Sequence, residues 1–363
     1  MYLADVPSMQ QDDFPKPGLS RPTLKRRVLH RAQQALYLSG LASLYAKLSC
    51  PNGALILMYH SVVDKEISVF IDPNNSVTVE QFSSQLQFLK QHCNVISLAK
   101  MLAHIQENKP LPERSVVITF DDGYRDNLTL AAPLLEKYQL PATLFLCTGY
   151  VERAETQWID QLYTAFQFRT QHDLKSSSGD KRFNLLSETE MQQAYLATVQ
   201  QLLTAGLDKR TEILQQVKTQ LQPKLETPRL TLNWDEVRQL KDNYPQFELG
   251  LHTRDHMDLA MLNQADIETE IKRCQLDYEQ ELSAKARFFS YPYGRNNETI
   301  RAQAKAAGFE GAVITQPTAL VKTTTDQYAL PRLETSDSIL DLRLWTSGAF
   351  PALAKNIFGR VYE

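Results

Sequence analysis

Cysteine is scarce. The 363-residue chain holds four, Cys50, Cys93, Cys147 and Cys274, far apart and without a CxxC pair. That excludes the dense disulfide framework of small secreted domains and argues against a thiolate metal site; the four read as buried thiols in a reducing compartment. Long apolar runs are missing too. No stretch of about 18 or more apolar residues occurs, so no transmembrane helix is expected. Residues 1–18 carry Asp5, Asp12 and Asp13 and no apolar segment, unlike a secretory leader, which places the chain in the cytoplasm as an expectation. Charge of one sign is also lacking. The 39 Lys and Arg nearly balance 42 Asp and Glu, and a net charge of −3 gives no field directed at nucleic acid.

What is present is apolar content for a large core. At 43% hydrophobic residues, the composition suits one large α/β domain with an insertion. Residues 1–53 stand apart. The first ~20, with Pro7, Pro15, Pro17 and Pro22, read as a disordered arm. Thr23 to Ser49 reads as a helix carrying Lys25, Arg26, Arg27, Arg31 and Lys47 and no acidic residue. Such a basic amphipathic helix suits either an anionic membrane surface or the outside of the main domain. Residues 54–350 form the main domain, and 351–363 a tail.

Within 54–350, short apolar runs alternate with amphipathic segments. Strands are expected at Leu55 to Tyr59, Val116 to Phe120, Ala142 to Cys147, Phe247 to Gly250, Arg287 to Ser290 and Gly311 to Ile314. Helices are expected at Thr78 to His92 (Thr78 as N-cap, Gln81 in the capping-box position), Asp126 to Tyr138, from Trp234, Gln264 to Leu282, and Glu298 to Ala307. Fully apolar strands alternating with helices indicate a parallel sheet covered by helices, and the number of units fits a (β/α) barrel. Residues 151–230 break the rhythm. The stretch is polar and helical in pattern, with a loop at Ser176 to Asp180, and is far longer than an ordinary βα connection, so it reads as a helical insertion. Trp158 and Trp234 flank it; burial suits them better than sugar stacking.

Three motifs carry chemistry, and each has a bland alternative. Thr119-Phe120-Asp121-Asp122-Gly123-Tyr124 puts two carboxylates where a buried strand ends, and Gly123 permits a sharp turn. Alone it could be a helix-capping loop. His252-Thr253-Arg254-Asp255-His256 also follows a strand, and histidines four apart can converge on one cation. Alone it could be a structural pair. Phe289-Ser290-Tyr291-Pro292-Tyr293-Gly294 could be an aromatic turn. Together they gain weight. Two histidines and a carboxylate make a hydrolytic zinc set, strand C-termini are where parallel α/β folds place their sites, and the second aspartate is free to deprotonate water.

In this order, TFDDGY, HTRDH and YPYG resemble the NodB-type polysaccharide deacetylases (carbohydrate esterase family four) over roughly residues 54–335, the insertion aside. The resemblance implies a distorted (β/α) barrel, a divalent cation, usually zinc, and an N-acetylated carbohydrate as substrate. It also implies roles. Asp121 would be the catalytic base, and Asp122, His252 and His256 the metal ligands. Pro292 and Tyr293 would line the acetate pocket, the Tyr293 N–H helping to stabilise the oxyanion.

Two positions depart from the family pattern. The arginine that usually precedes the Pro-Tyr pair is replaced by the Ser290-Tyr291 region; Arg332, near a later strand end, and Arg295 are the candidates to stand in. The histidine of the last family motif, the general acid, has no counterpart, because no histidine follows His256. His60, ending the first strand in a Tyr-His pair similar to that of the poly-N-acetylglucosamine deacetylase branch, is the candidate acid. The competing reading is an impaired barrel that binds metal and glycan without turnover. Glycoside hydrolysis is disfavoured, since adjacent Asp121 and Asp122 cannot flank a bond at the ~5–9 Å separation such chemistry needs.

Overall fold

The computed structural model describes residues 53–176, 179–316, 320–335 and 338–347, with 35, 39 and 40. The N-terminal arm, nearly all of the basic helix and the 351–363 tail therefore lie outside the described residues. Two compact units are distinguished, one comprising Val63–Ser76 and Thr156–Leu230 of the described chain, the other the remainder.

The larger unit is built on seven strands: β1 (Ala54–Tyr59), β2 (Ser115–Phe120), β3 (Ala142–Leu146), β4 (Phe247–Leu251), β5 (Phe288–Ser290), β6 (Gly311–Thr315) and β7 (Leu330–Glu334). Each pairs in parallel with the next, and β1 also pairs with β7, closing a barrel. Every residue of β1, β2 and β3 is buried, as expected for strands with a packed interior on one side and helices on the other. The barrel is uneven. β2 meets β3 only at Thr119 and Phe120, while its lower end pairs with the two-residue strand Asn94–Val95. β4 and β5 share the single register pair Leu251 and Phe289.

Alternation along the strands sorts side chains into two cores. Leu55, Leu57, Tyr59, Val116, Ile118 and Phe120 pack outward against helical residues such as Phe82, Leu86 and Leu135. Ala54, Ile56, Val117, Phe145, Phe288, Val313 and Leu330 pack together with Leu98, Met101, Leu102 and Ile105 of the helix Leu98–Gln106. Continuing that second parity, Thr119, Asp121, Ser290 and Arg332 fall on the inner face above the apolar layer. Leu330 and Arg332 share a face of β7, so a guanidinium enters the barrel on an otherwise apolar side.

Local signals behave as their chemistry requires. Thr78 and Gln81 form the expected reciprocal capping box of the helix Val79–His92. The helix expected over Asp126 to Tyr138 differs: Asn127–Ala131 takes wider π spacing before α-helix at Ala132–Tyr138. Pro133 has no N–H for the carbonyl four residues back. Cys147 and Cys274 are buried, but Cys93 is only partly so, a correction to the expectation of buried thiols. Among the described residues no helix is long and apolar enough to cross a membrane.

The smaller unit contains the helices Trp158–Gln167, Glu188–Thr204 and Leu207–Leu221. It also holds an antiparallel pair, Asp173–Lys175 with Arg182–Asn184, that helical periodicity did not reveal. Its core includes Arg210, whose guanidinium lies 5.6 Å from the Trp158 ring and whose Nε donates to the Leu202 carbonyl at 2.8 Å. Trp158 is buried here; in the larger unit Trp234 is buried as well, and its Nε1 donates to Glu152 at 2.6 Å.

Candidate active site

Asp121 and Asp122 are neighbours that face different partners because the backbone turns between them. β2 ends at Phe120, and the alternation carries Asp121 into the barrel mouth. Asp122 and Gly123 then take φ of 75° and 74° in succession. Gly123 does so at no steric cost, whereas a non-glycine residue there is strained by about 1–3 kcal/mol. Asp121 faces Arg332 and Ser290, with His252 Nε2 also 3.7 Å from its Oδ2; Asp122 faces both histidines.

The histidine loop leaves β4 at Leu251. His252 Nδ1 lies 2.8 Å from the Ser290 carbonyl, which can only accept, so Nδ1 carries the proton and Nε2 presents its lone pair. His256 Nδ1 is 2.9 Å from the Tyr293 hydroxyl. The Nε2 atoms stand 3.7 Å and 3.4 Å from the same Asp122 oxygen, Oδ1. One potential ligand atom from each of Asp122, His252 and His256 falls within 4.8 Å of the others. This donor set fits a divalent cation: two imidazoles oriented from behind and one carboxylate oxygen.

The loop is held in an uncommon shape. Thr253 and His256 have φ of 62° and 50°. Opposing that strain, the backbone N–H groups of Arg254 and Asp255 both donate to Glu270 Oε2, Arg254 Nε donates to Asp277 at 3.0 Å, and Arg153 Nη1 to Asp255 at 2.7 Å. Arg254 and Asp255 therefore shape the loop between the two histidines.

Arg332 answers the question left open by the missing arginine. Its Nη1 and Nη2 donate to Asp121 Oδ1 and Oδ2 at 2.7 Å and 2.6 Å, and Nη2 also reaches Ser290 Oγ at 2.9 Å. Arg332 sits in the middle of β7, not at its end, and is buried. Arg295 turns elsewhere and donates to Asp258 at 2.7 Å. Burial by itself would raise the Asp121 carboxyl, but the charge of Arg332, that of His252 and the Arg332 hydrogen bonds outweigh it and hold the group well below the usual carboxylate range. For Asp122, burial dominates and pushes the carboxyl up against the lowering pull of His60 and His252.

His60 follows β1 directly and is partly buried, and its charge acts on both Asp121 and Asp122. Tyr293 adopts φ 59° in a short turn, Pro292–Gly294, after β5. Gly294 is required beyond it, because a Cβ there would run into Thr315 of β6. The larger unit thus brings together Asp121, Asp122, His252, His256, Tyr293 and Arg332, with His60 within electrostatic reach.

Sequence reasoning missed several contributors. Ser290 bridges Arg332 and Asp121 through its side chain and orients His252 through its carbonyl. Cys147 Sγ lies 3.8 Å from Asp122 Oδ1 and 3.3 Å from the His252 carbonyl. Asp126 and Asn127, taken as helix residues, bond back to the segment after β1. Only the carboxamide and carboxylate beside TFDDGY could have drawn attention to the last two.

Comparison with known proteins agrees with this arrangement. Residues 108–312 match the profile of the polysaccharide deacetylase family. The chain is 28% identical over 225 residues to the poly-beta-1,6-N-acetyl-D-glucosamine N-deacetylase of Staphylococcus epidermidis, covering 56% of this chain and 74% of the relative. It is 31% identical over 159 residues to the enzyme of that name from Staphylococcus aureus, covering 38% of this chain and 55% of the relative, so it spans about half of that protein. In fold it is similar to the Streptococcus pyogenes deacetylase PplD in complex with acetate, at TM-score 0.54 and 18% identity over 82% of this chain and 99% of the other. IcaB from Ammonifex degensii gives TM-score 0.54 and 17% identity over 82% and 97%. With a closed barrel, a buried DD pair, a converging histidine pair and a matching family profile over more than half its length, the chain belongs to the polysaccharide deacetylase family.

Proposed function

We propose that this carbohydrate deacetylase hydrolyses the N-acetyl groups of an N-acetylglucosamine-containing saccharide, using zinc held by Asp122, His252 and His256. The observation that carries the reading is the division of labour between adjacent aspartates. One is kept ionised by Arg332, and the other completes a cation site with two oriented imidazoles. The substrate class is supported by the names of the staphylococcal relatives.

A divalent ion on these three side chains would supply Lewis acidity toward the acetyl group. Asp121, ionised and fixed by Arg332, accepts a proton from the attacking water as its oxygen bonds to the acetyl carbon. Pro292 and Tyr293 hold the acetyl group, and the Tyr293 N–H supports the carbonyl oxygen as charge develops there. His60 donates a proton to the departing nitrogen as the C–N bond breaks. The products are acetate and a free amino sugar.

The decisive experiment is acetate release from β-1,6-linked N-acetylglucosamine oligomers, with metal content measured in the same samples. Wild type is expected to release acetate. Asp121→Asn is expected to lose about 10²–10⁴-fold in turnover while keeping its metal. The reading of an impaired glycan-binding barrel, favoured by the lack of any histidine after His256, predicts binding of the oligomer without release.

Membrane contact through 23–49 and a cytoplasmic location are further parts of the proposal. Full-length protein with Lys25, Arg26, Arg27 and Arg31 replaced by glutamate should lose sedimentation with anionic liposomes. Equal sedimentation would exclude that contact. Cell fractionation tests the location.

A further inference from the structure

Asp126 is a buried carboxylate that the reaction does not use. It stands at the start of the turn Asn127–Ala131, yet its side chain makes no helix-capping hydrogen bond. Instead it points back across the barrel rim. Oδ2 accepts from the Ser61 hydroxyl at 2.5 Å, and Oδ1 accepts from the Val62 N–H at 2.8 Å. Beside it, Asn127 Nδ2 donates to the His60 carbonyl at 2.9 Å and to Asp126 Oδ1 at 3.1 Å. On the other side, the Asp121 N–H donates to the Tyr59 carbonyl at 3.0 Å. Three consecutive residues, His60, Ser61 and Val62, are therefore each held by a side chain from one dipeptide.

This arrangement has a thermodynamic cost that the fold alone does not explain. Ser61, Asp126 and Asn127 are all buried. Asn127 Oδ1 is buried without a hydrogen-bond partner among the described residues. Burial pushes the Asp126 carboxyl up to about 7, with the Ser61 and Val62 hydrogen bonds opposing only part of that rise. A pair of small apolar residues could fill the same volume without a buried acid or an unpaired carbonyl. What such a pair could not do is bond the His60 carbonyl and the Val62 N–H, at the junction where β1 passes into the short strand Ser61–Val63.

We infer that Asp126 and Asn127 are positioning residues that act on the reaction through His60, clamping the backbone at 60–62 so that its imidazole stays within electrostatic reach of the aspartate pair. The inference rests on the proposed role of His60 as proton donor. In that mechanism neither Asp126 nor Asn127 touches substrate or cation. Misplacement of a catalytic group by about 1 Å can cost 10²-fold in rate, so a loss of about ten- to 100-fold in kcat is expected for Asp126→Ala, with KM and metal content little changed. Asp126→Asn should recover most of the activity. Its carbonyl oxygen can still accept from Val62, and its amide can donate to the Ser61 oxygen, because a hydroxyl serves in either sense.

The test is a double-mutant cycle in the full-length, metal-loaded enzyme, read by acetate release, with the His60 imidazole followed by NMR. Seven histidines make the spectrum tractable. A loss in Asp126→Ala that disappears when His60→Ala is already present, together with recovery in Asp126→Asn and a displaced His60 resonance, supports the clamp. Equal losses in both backgrounds, or wild-type turnover in Asp126→Ala, overturn it. Wild-type turnover in His60→Ala defeats the proton-donor role itself, and the clamp's effect on the reaction with it. An unmoved His60 resonance in Asp126→Ala defeats the clamp alone.

Discussion

Arg332 and Asp121, 211 residues apart in the chain, meet inside the barrel in a two-pronged ion pair with N–O distances of 2.7 Å and 2.6 Å. Both are almost fully buried. The pair joins the aspartate proposed as base to a strand that carries no recognisable motif. It also accounts for an ionised Asp121 without an arginine just before the Pro-Tyr segment.

Removing the guanidinium should therefore have two effects. Arg332→Met leaves a buried carboxylate uncompensated and should destabilise the protein by about 3–5 kcal/mol, seen as a lower unfolding midpoint in urea. With Arg332 gone, burial raises the Asp121 carboxyl, so the acid limb of kcat should move to higher pH. Arg332→Lys should rescue little, since an ammonium cannot reproduce the planar fork.

Asp121 also makes a signed prediction about stability. Its folded-state carboxyl lies below the unfolded value, so its contribution is fully present above the unfolded value, near pH 4, and is lost as pH falls through the lower folded value. The stability difference between wild type and Asp121→Asn should be level from pH 7 to about 5 and shrink below about 4. Chemical denaturation across that range checks it; a difference that grew on acidification would contradict the pairing.

Asp126 should show the opposite sign. Its folded-state carboxyl is raised to about 7, so between about pH 4 and 7 the folded state binds the extra proton and stability falls as pH rises. Relative to Asp126→Asn, wild type should lose stability over that window and then level off. The same denaturation series, run to pH 8.5, is the measurement.

The Tyr293 hydroxyl, 2.9 Å from His256 Nδ1, orients a ligand of the candidate cation site from behind. Tyr293→Phe should weaken metal affinity by about 10–100-fold, read by competition with a chromophoric chelator, while the fold is retained. Unchanged affinity would assign the contact no role in holding the ion.

Gly294 has φ 68°, and a Cβ placed on it would collide with the backbone and side chain of Thr315. Gly294→Ala should displace the Tyr293 turn and reduce acetate release more than it reduces stability. A loss of stability with full activity per folded molecule would place the constraint on the barrel wall instead.

By itself the sequence determined the alternating architecture, because fully apolar strands and capped amphipathic helices are local patterns set by burial and by backbone hydrogen bonding. Six of the seven barrel strands were legible to within one or two residues, as at Val116 to Phe120 against β2 and Gly311 to Ile314 against β6, while β7 was marked only by a strand end near Arg332. The chemistry-bearing residues at their ends were legible too, since carboxylates and imidazoles are conspicuous beside apolar runs. The tertiary structure decided what depends on distance through space. It chose Arg332 over Arg295, since which guanidinium reaches Asp121 depends on barrel closure between β1 and β7. It set Asp122 apart from Asp121, through two successive left-handed residues, Asp122 and Gly123. It also turned Asp126 and Asn127 away from the helix they begin and onto the chain beside His60. Local sequence encodes which face of an element is apolar; partners 65 or 211 residues away are fixed only when the strands close and bring them within hydrogen-bonding range.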